Sequence, residues 1–269
     1  MRILVINDDG IESPGIWALA EAMDRVGEVL IVAPDKQQSG VGTAVSFHHG
    51  INVTEVSSSI DGAHAYAVSG TPTDCLILGL TQLAEGNIDL IVSGINTGAN
   101  ISTGVFGSGT VMPTRAAWTR GIPSLAMSLS RHGPHDQREL FFHLAGGVAE
   151  LLARKIIEGE MPPGIALNVN VPSVLTGEIR GIAITRVSSI GYWRLSTEQR
   201  SDGLHYHSLS PIEEDNPNIE EGTDIWALNK GLISITPLRF EITDDKLIPT
   251  LRKHTRRLDS ALTQMMEAN

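Results

Sequence analysis

The sequence predicts an α/β protein: a Rossmann-like, mostly parallel sheet with helices on both faces, inserted β segments and a C-terminal β-rich extension. Three observations carry that expectation. Uninterrupted apolar runs alternate with helical patterns over the first two-thirds of the chain. Polar, glycine-rich clusters follow three of those runs. After Pro172 the alternation gives way to apolar stretches separated by polar linkers. With 269 residues the chain is long enough for a large core and a smaller second unit.

The elements follow in order. "RILVI" (Arg2–Ile6) reads as a buried strand, and Pro14–Met23 as a helix with Ser13 as N-cap and Pro14 at its first position. "EVLIVAP" (Glu28–Pro34) is the second strand. The segment from Thr43 to Val68, with "AVSF", "INVTEV" and "AYAVSG", predicts extra strands inserted at about 43–68. Thr71–Ala84 suits a helix, Asp89–Gly94 a strand, Gly109–Gly121 a helix and Ser124–Leu129 a strand. A long helix over Arg138–Glu158 precedes the strand "IALNVNVP" (Ile165–Pro172). Residues 1–172 thus make a catalytic-type core. The apolar stretches "IAITRV", "LHYHSLS" and "IWALNKGLISITPL", with the loop Glu213–Asp224, predict a β-rich extension or oligomerisation arm over 173–243. A helical tail spans 244–269, with an apolar stripe and a basic edge.

Composition narrows the function. A formal charge of −11 disfavours binding to a nucleic-acid backbone, and no duplex partner is expected. A phosphorylated substrate would then need a local remedy, such as a metal or helix N-termini. The single cysteine, Cys75, excludes an internal disulfide framework and a cysteine-based zinc site. No run suits a membrane span, and the opening "MRILVI" is too short for a signal peptide, so a cytoplasmic setting is expected.

Ligands of a parallel α/β sheet meet the carboxyl ends of its strands, and three polar clusters fall there. Asn7–Gly10 follows the first strand, Pro34–Thr43 the second, and Ser93–Thr110 the Asp89–Gly94 strand. Asn-Asp-Asp-Gly is a good turn, which accounts for Gly10 and one polar residue. A second carboxylate next to a buried strand needs a partner or a cation. A hard divalent ion takes oxygen ligands, and Asp8, Asp9, Ser39 and Asn96 offer them. Gly104, Gly107 and Gly109 would let backbone amides approach a phosphate. Ser108 and Thr110 stand at the start of the next expected helix. Arg115 reads as a surface arginine, with a phosphate contact as the alternative. His48–His49 and His205/His207 lack an acidic partner at ligand spacing. Cys75 reads as a core thiol, Asp74 as a cap, and Met112, Met127 and Met161 as packing.

Read together, "RILVINDDGIESPGI", "VAPDKQQSG", "GTPTDC", "DLIVSGINTGAN", "SGTV" and "GTDIWALNKGLISITPL" closely resemble the stationary-phase survival protein (SurE) family of metal-dependent nucleoside-monophosphate phosphatases, from Met1 to about Leu238. The resemblance implies a metal held by Asp8, Asp9, Ser39 and Asn96, the same four residues. It implies hydrolysis of nucleoside 5′-monophosphates by an activated water with one Mg²⁺ or Mn²⁺ per subunit. Asp8, Asp9 and Asn96 would be catalytic, and Gly107, Ser108, Gly109 and Thr110 would hold the phosphate. It also implies a homodimer or tetramer with exchanged C-terminal elements. Activity on 3′-nucleotides and short polyphosphate is the alternative within the family, and a non-catalytic nucleotide-binding protein the alternative outside it. An aspartyl-phosphate mechanism at Asp8 is disfavoured because Gly10 stands where its companion acid would be. In "ISTGVFGSGTV", Gly107 beside Ser108 departs from the acidic or bulky residues and tyrosine that relatives carry before "SGTV".

Overall fold

The computed structural model describes residues 1–46, 48–130, 138–174, 178–191, 193–199, 205–211 and 219–267. The chain divides into two units, Met1–Leu238 and Arg239–Asn269. In chain order the first unit holds β1 (Arg2–Ile6), α1 (Pro14–Asp24), β2 (Glu28–Pro34), β3 (Val53–Val56), β4 (His64–Val68) and α2 (Pro72–Leu78). Next come β5 (Leu90–Thr97), α3 (Pro113–Trp118), β6 (Ser124–Leu129), α4 (Arg138–Ile157) and β7 (Ala166–Val171). The unit ends with β8 (Ile182–Ile184), β9 (Trp193–Gln199), β10 (His205–Pro211), α5 (Asp224–Asn229) and β11 (Ile233–Pro237).

Nine strands make one sheet in the order β3-β4-β2-β1-β5-β6-β7-β11-β8. Its six central strands, β4-β2-β1-β5-β6-β7, run parallel, with β1 paired to β2 on one side and β5 on the other. That is the doubly wound order, whose direction of winding reverses between β1 and β5. The apolar runs are continuous because both faces are covered. Ile3 and Val5 pack with Ile16, Leu19 and Met23 of α1 and Phe142 and Ala145 of α4. The alternate residues Leu4 and Ile6 pack with Cys75 and Leu76 of α2 and Ala117 of α3 on the other face.

Several local expectations differ from what the chain adopts. Of the inserted segment, β3 pairs antiparallel at the sheet edge, whereas β4 is the parallel neighbour of β2. Ala44, Val45 and Ser46 are not in a strand, and Phe47 lies outside the described residues. The helix expected from Gly109 begins only at Pro113, because Ser108–Met112 forms turns. The apolar stretch starting at Ile225 splits into α5 and β11: Thr223 accepts a hydrogen bond from the Trp226 N–H and so caps a helix that Asp224 opens. Strand β11 pairs antiparallel with β7 and parallel with β8, within this chain. Strands β9 and β10 form a separate antiparallel ribbon.

The second unit contains α6 (Ile248–Glu267), on which Leu251, Leu258, Leu262 and Met265 recur at helical spacing and are exposed. No described helix is long and apolar enough to cross a membrane.

Candidate active site

The first turn is built by Asn7 rather than by the aspartates. Its Oδ1 accepts from the Gly10 N–H at 3.2 Å, and its Nδ2 donates to the Gly10 carbonyl at 2.9 Å and to Ser13 Oγ at 2.8 Å. Ser13 occupies the N-cap of α1 as expected, yet its hydroxyl serves Asn7 and makes no cap hydrogen bond. Gly10 has φ +96°, a conformation that glycine adopts without steric cost. The side chain of Asn7 thus bridges the turn.

Three loops meet around Asp8 and Asp9. The Asp8 carbonyl accepts from the Gln38 N–H at 2.7 Å, which ties the turn to the loop after β2. Gln37 Nε2 donates to Asp9 Oδ1 at 3.3 Å and to Ser39 Oγ at 3.0 Å, bridging those two groups. Asp9 Oδ2 accepts from the Thr97 N–H at 3.1 Å, next to Asn96 at the end of β5. Asn96 itself donates from Nδ2 to the Gly98 carbonyl at 2.6 Å. The β5–β6 ladder slips between Ser93 and Asn96, a bulge that re-aims the end of β5. Thr110 Oγ1 donates to Asp8 Oδ1 at 2.6 Å and brings in the third loop. Gln37 and Asn7 were not among the expected site residues; a side chain two residues before Ser39, in a polar strand-end loop, was the available signal.

Gly109 has a steric reason. A Cβ there would stand 2.8 Å from the Asp8 Cβ and 2.9 Å from its Oδ2. Ser108 Oγ accepts from the Thr110 N–H at 3.2 Å and the Val111 N–H at 3.0 Å, so this hydroxyl shapes the loop. The Gly109 N–H has no acceptor among the described residues. Gly107 joins the rim through its carbonyl, which accepts from the Gly42 N–H at 3.0 Å.

The electrostatics are lopsided. Asp8 is only 4% exposed. Burial pushes its carboxyl up to about 6; the Thr110 hydrogen bond opposes that rise, and the neighbouring Asp9 charge adds to it. No lysine or arginine pairs with Asp8 among the described residues. A buried carboxylate beside a second one, with the Thr110 hydroxyl on one and Gln37 linking the other to the Ser39 hydroxyl, suits a hard divalent cation. No group of three or more His, Cys, Asp or Glu side chains gathers among the described residues. A cation held here would therefore depend on Ser39 and Asn96 as well as the two carboxylates.

Other candidates fall elsewhere. Arg115 is exposed on α3 and makes no hydrogen bond or ion pair to these groups among the described residues. His48 and His49 are exposed, and the side chains of His205 and His207 in β10 lie outside the described ones. Cys75 is a buried free thiol whose pKa is pushed well up by that burial. Asp74 completes a capping box with Thr71, and Met127 is wholly buried.

Comparison with known proteins agrees with this architecture. A family model described as "Survival protein SurE" matches residues 3–194. The chain is 37% identical over 257 residues to a protein of Geobacter metallireducens named 5′-nucleotidase SurE, covering 94% of this chain and 96% of that one. It is 42% identical over 245 residues to the protein of the same name from Moorella thermoacetica, covering 91% and 92%. The crystal structure of the SurE protein from Aquifex aeolicus superposes with a TM-score of 0.79 at 34% identity, covering 94% of this chain and 99% of that one. Full-length similarity and a shared doubly wound fold leave one conclusion: this chain belongs to the SurE family.

Proposed function

We propose that the chain is a divalent-metal-dependent 5′-nucleotidase that hydrolyses nucleoside 5′-monophosphates to nucleoside and phosphate. The observation that carries the reading is the buried Asp8 carboxyl, beside Asp9, at the point where the sheet reverses its winding. Family membership supplies the activity class, since the relatives are named 5′-nucleotidases.

In this reading Asp8, Asp9, Ser39 and Asn96 hold the cation, Mg²⁺ or Mn²⁺. When held there, such a cation would supply neutralisation of phosphate oxygens and a lowered pKa for a water, so that the deprotonated water is available as the nucleophile. Thr110 donates to Asp8 Oδ1 and so directs the other carboxylate oxygen toward the ligand. Gln37, donating to both Asp9 and Ser39, sets the spacing of those two groups. Gly107, Ser108, Gly109 and Thr110 line the phosphate site in this reading, and the Gly109 N–H is the donor best supported, because nothing in the described chain occupies it, whereas the Thr110 N–H and hydroxyl are given to Ser108 and Asp8. Asp8 or Asp9 orients the attacking water, and Asn96 positions phosphate. A panel of 5′-nucleotides, 3′-nucleotides and short polyphosphate, each with Mn²⁺, tests the substrate class. Fastest phosphate release from 5′-monophosphates is expected; preference for polyphosphate would move the chain to another reaction.

The same reading gives a homodimer or tetramer in the cytoplasm. Supporting association, β9 and β10 form a two-stranded sheet separate from the main one, and Leu195 on it is exposed. Any exchanged element is then the ribbon, since β11 pairs with β7 and β8 with β11 of their own chain. Sedimentation at micromolar concentration reads the outcome, and a single monomeric species would defeat the assignment.

A further inference from the structure

The segment after β7 does more than extend the sheet. Asp224, at the first position of α5, is fully buried, and its carboxylate is spent entirely on backbone. Oδ2 accepts from the Ser102 N–H at 2.8 Å, and Oδ1 from the Ser188 N–H at 3.1 Å and the Ile225 N–H at 2.9 Å. Ser102 is the one non-glycine residue with positive φ among those described, at 53°. Its hydroxyl donates to the Ser188 carbonyl at 3.3 Å and also contacts the Ile190 carbonyl. The carboxylate thus joins three pieces far apart in sequence: the loop after β5, the strap after β8 and the start of α5.

The loop held this way leads into the site. Ser102 opens a 3-10 helix, Ser102–Gly107, which passes directly to Ser108 and Gly109. Val105 and Val111 on either side pack with Val187 and Leu238, again from the segment after β7. Thr110 then reaches Asp8. A continuous chain of short, mostly buried links therefore runs from Asp224 to the Asp8 carboxylate. An ordinary surface loop would have no use for a buried carboxylate with three backbone donors, which is costly to desolvate.

We infer that Asp224 is a positioning residue for the proposed nucleotidase reaction: by gripping the Ser102 and Ser188 amides it sets where Gly109 and Thr110 stand over Asp8. The inference rests on the reading of that loop as the phosphate cradle. Asp224→Asn offers one acceptor oxygen and places an NH₂ group against a backbone N–H, so the grip fails while the volume is kept. Misplacing a transition-state contact by an ångström is enough to cost about a hundredfold in rate.

Full-length Asp224→Asn, assayed well below its melting midpoint, is expected to lose about ten- to a hundredfold in kcat/KM. The loss should fall alike on nucleoside monophosphates and on a phosphate ester without a base. Hydrogen exchange in the peptide covering Ser102–Val111 should quicken. Thr185→Val is the control. Thr185 is buried in the same segment but bonds to Ser234, Thr236 and the Ile235 carbonyl. It should lower the melting midpoint and leave kcat/KM and exchange at Ser102–Val111 unchanged. Ser102→Ala, which keeps the N–H that Asp224 grips but loses the hydroxyl bonds, should show a smaller loss in the same direction and serves if Asp224→Asn does not fold. Parent-like kcat/KM and exchange in the folded Asp224 or Ser102 variant, or an equal loss in Thr185→Val, would overturn the inference. A parent without phosphatase activity would overturn the functional reading instead, and the exchange comparison would still judge the positioning.

Discussion

The two ends of the central strands handle charge in opposite ways. At the amino ends, the Arg2 guanidinium pairs with Glu28 at 3.0 Å, and the Arg2 backbone N–H donates to Asp89 at 2.8 Å. Acid and base are matched within the chain, with Arg2 half-buried and Glu28 and Asp89 exposed. At the carboxyl ends, Asp8 is buried beside Asp9, and the hydrogen bond to its side chain comes from a neutral hydroxyl. The chain completes its own electrostatics at one end and leaves them for a ligand at the other. A net charge of −11 makes that contrast sharper, because a phosphate approaching the carboxyl ends meets an acidic protein and needs a local remedy there.

Breaking the carboxyl end should have the largest effect. Asp8→Asn or Asp9→Asn should cut phosphate release by several orders of magnitude while circular dichroism stays that of the parent. In Asp8→Asn the metal-free protein should melt no lower than the parent, since a buried charge is removed and an acceptor for Thr110 remains. Added Mn²⁺ should no longer raise the midpoint of either variant. Gly109→Ala comes next. Its Cβ would press on Asp8 at 2.8 Å, so a loss of about ten- to a hundredfold in kcat/KM is expected, with destabilisation of about 1–3 kcal/mol in thermal unfolding. The smallest effect belongs to an acid matched within the chain. Glu150 receives hydrogen bonds from Arg25 and Arg154, which hold its carboxyl below the usual range. A lowered folded-state pKa means stability that is present at neutral pH and lost as pH falls through that lowered value. Glu150→Gln should cost less than about 1 kcal/mol at pH 7, should converge with the parent in acid, and should leave turnover alone.

The same contrast explains what could be read without coordinates. The strands were legible because burial on both faces leaves Ile3 to Ile6 uniformly apolar. The carboxylates were legible because Asp8 and Asp9 interrupt that run where a parallel sheet presents its ligands. Side chains that work on backbone were harder. Asn7 looks like one more turn residue, although its side chain bridges the turn with both the oxygen and the nitrogen of its amide. Asn168 and Asn170 sit wholly buried in β7, and both donate to the Asn100 carbonyl, holding the loop between Thr97 and Ser102. Two asparagines at i and i+2 in an apolar strand signal a buried polar face, but not the distant loop it meets. Asp224 was hidden by an apolar context, Ile225 onward, that resembles a strand until Thr223 is seen as its cap. Asn168 meets the Asn100 carbonyl across 68 residues of sequence and Asp224 meets the Ser102 N–H across 122, and only the folded chain pairs them.

The central claim is that the carboxyl end is electrostatically incomplete until a divalent cation joins it. Phosphate release from a nucleoside 5′-monophosphate, measured on protein stripped of metal and then resupplied with Mg²⁺ or Mn²⁺, tests this most directly. The account predicts no turnover after stripping and full recovery on resupply, and turnover that survives exhaustive metal removal would contradict it.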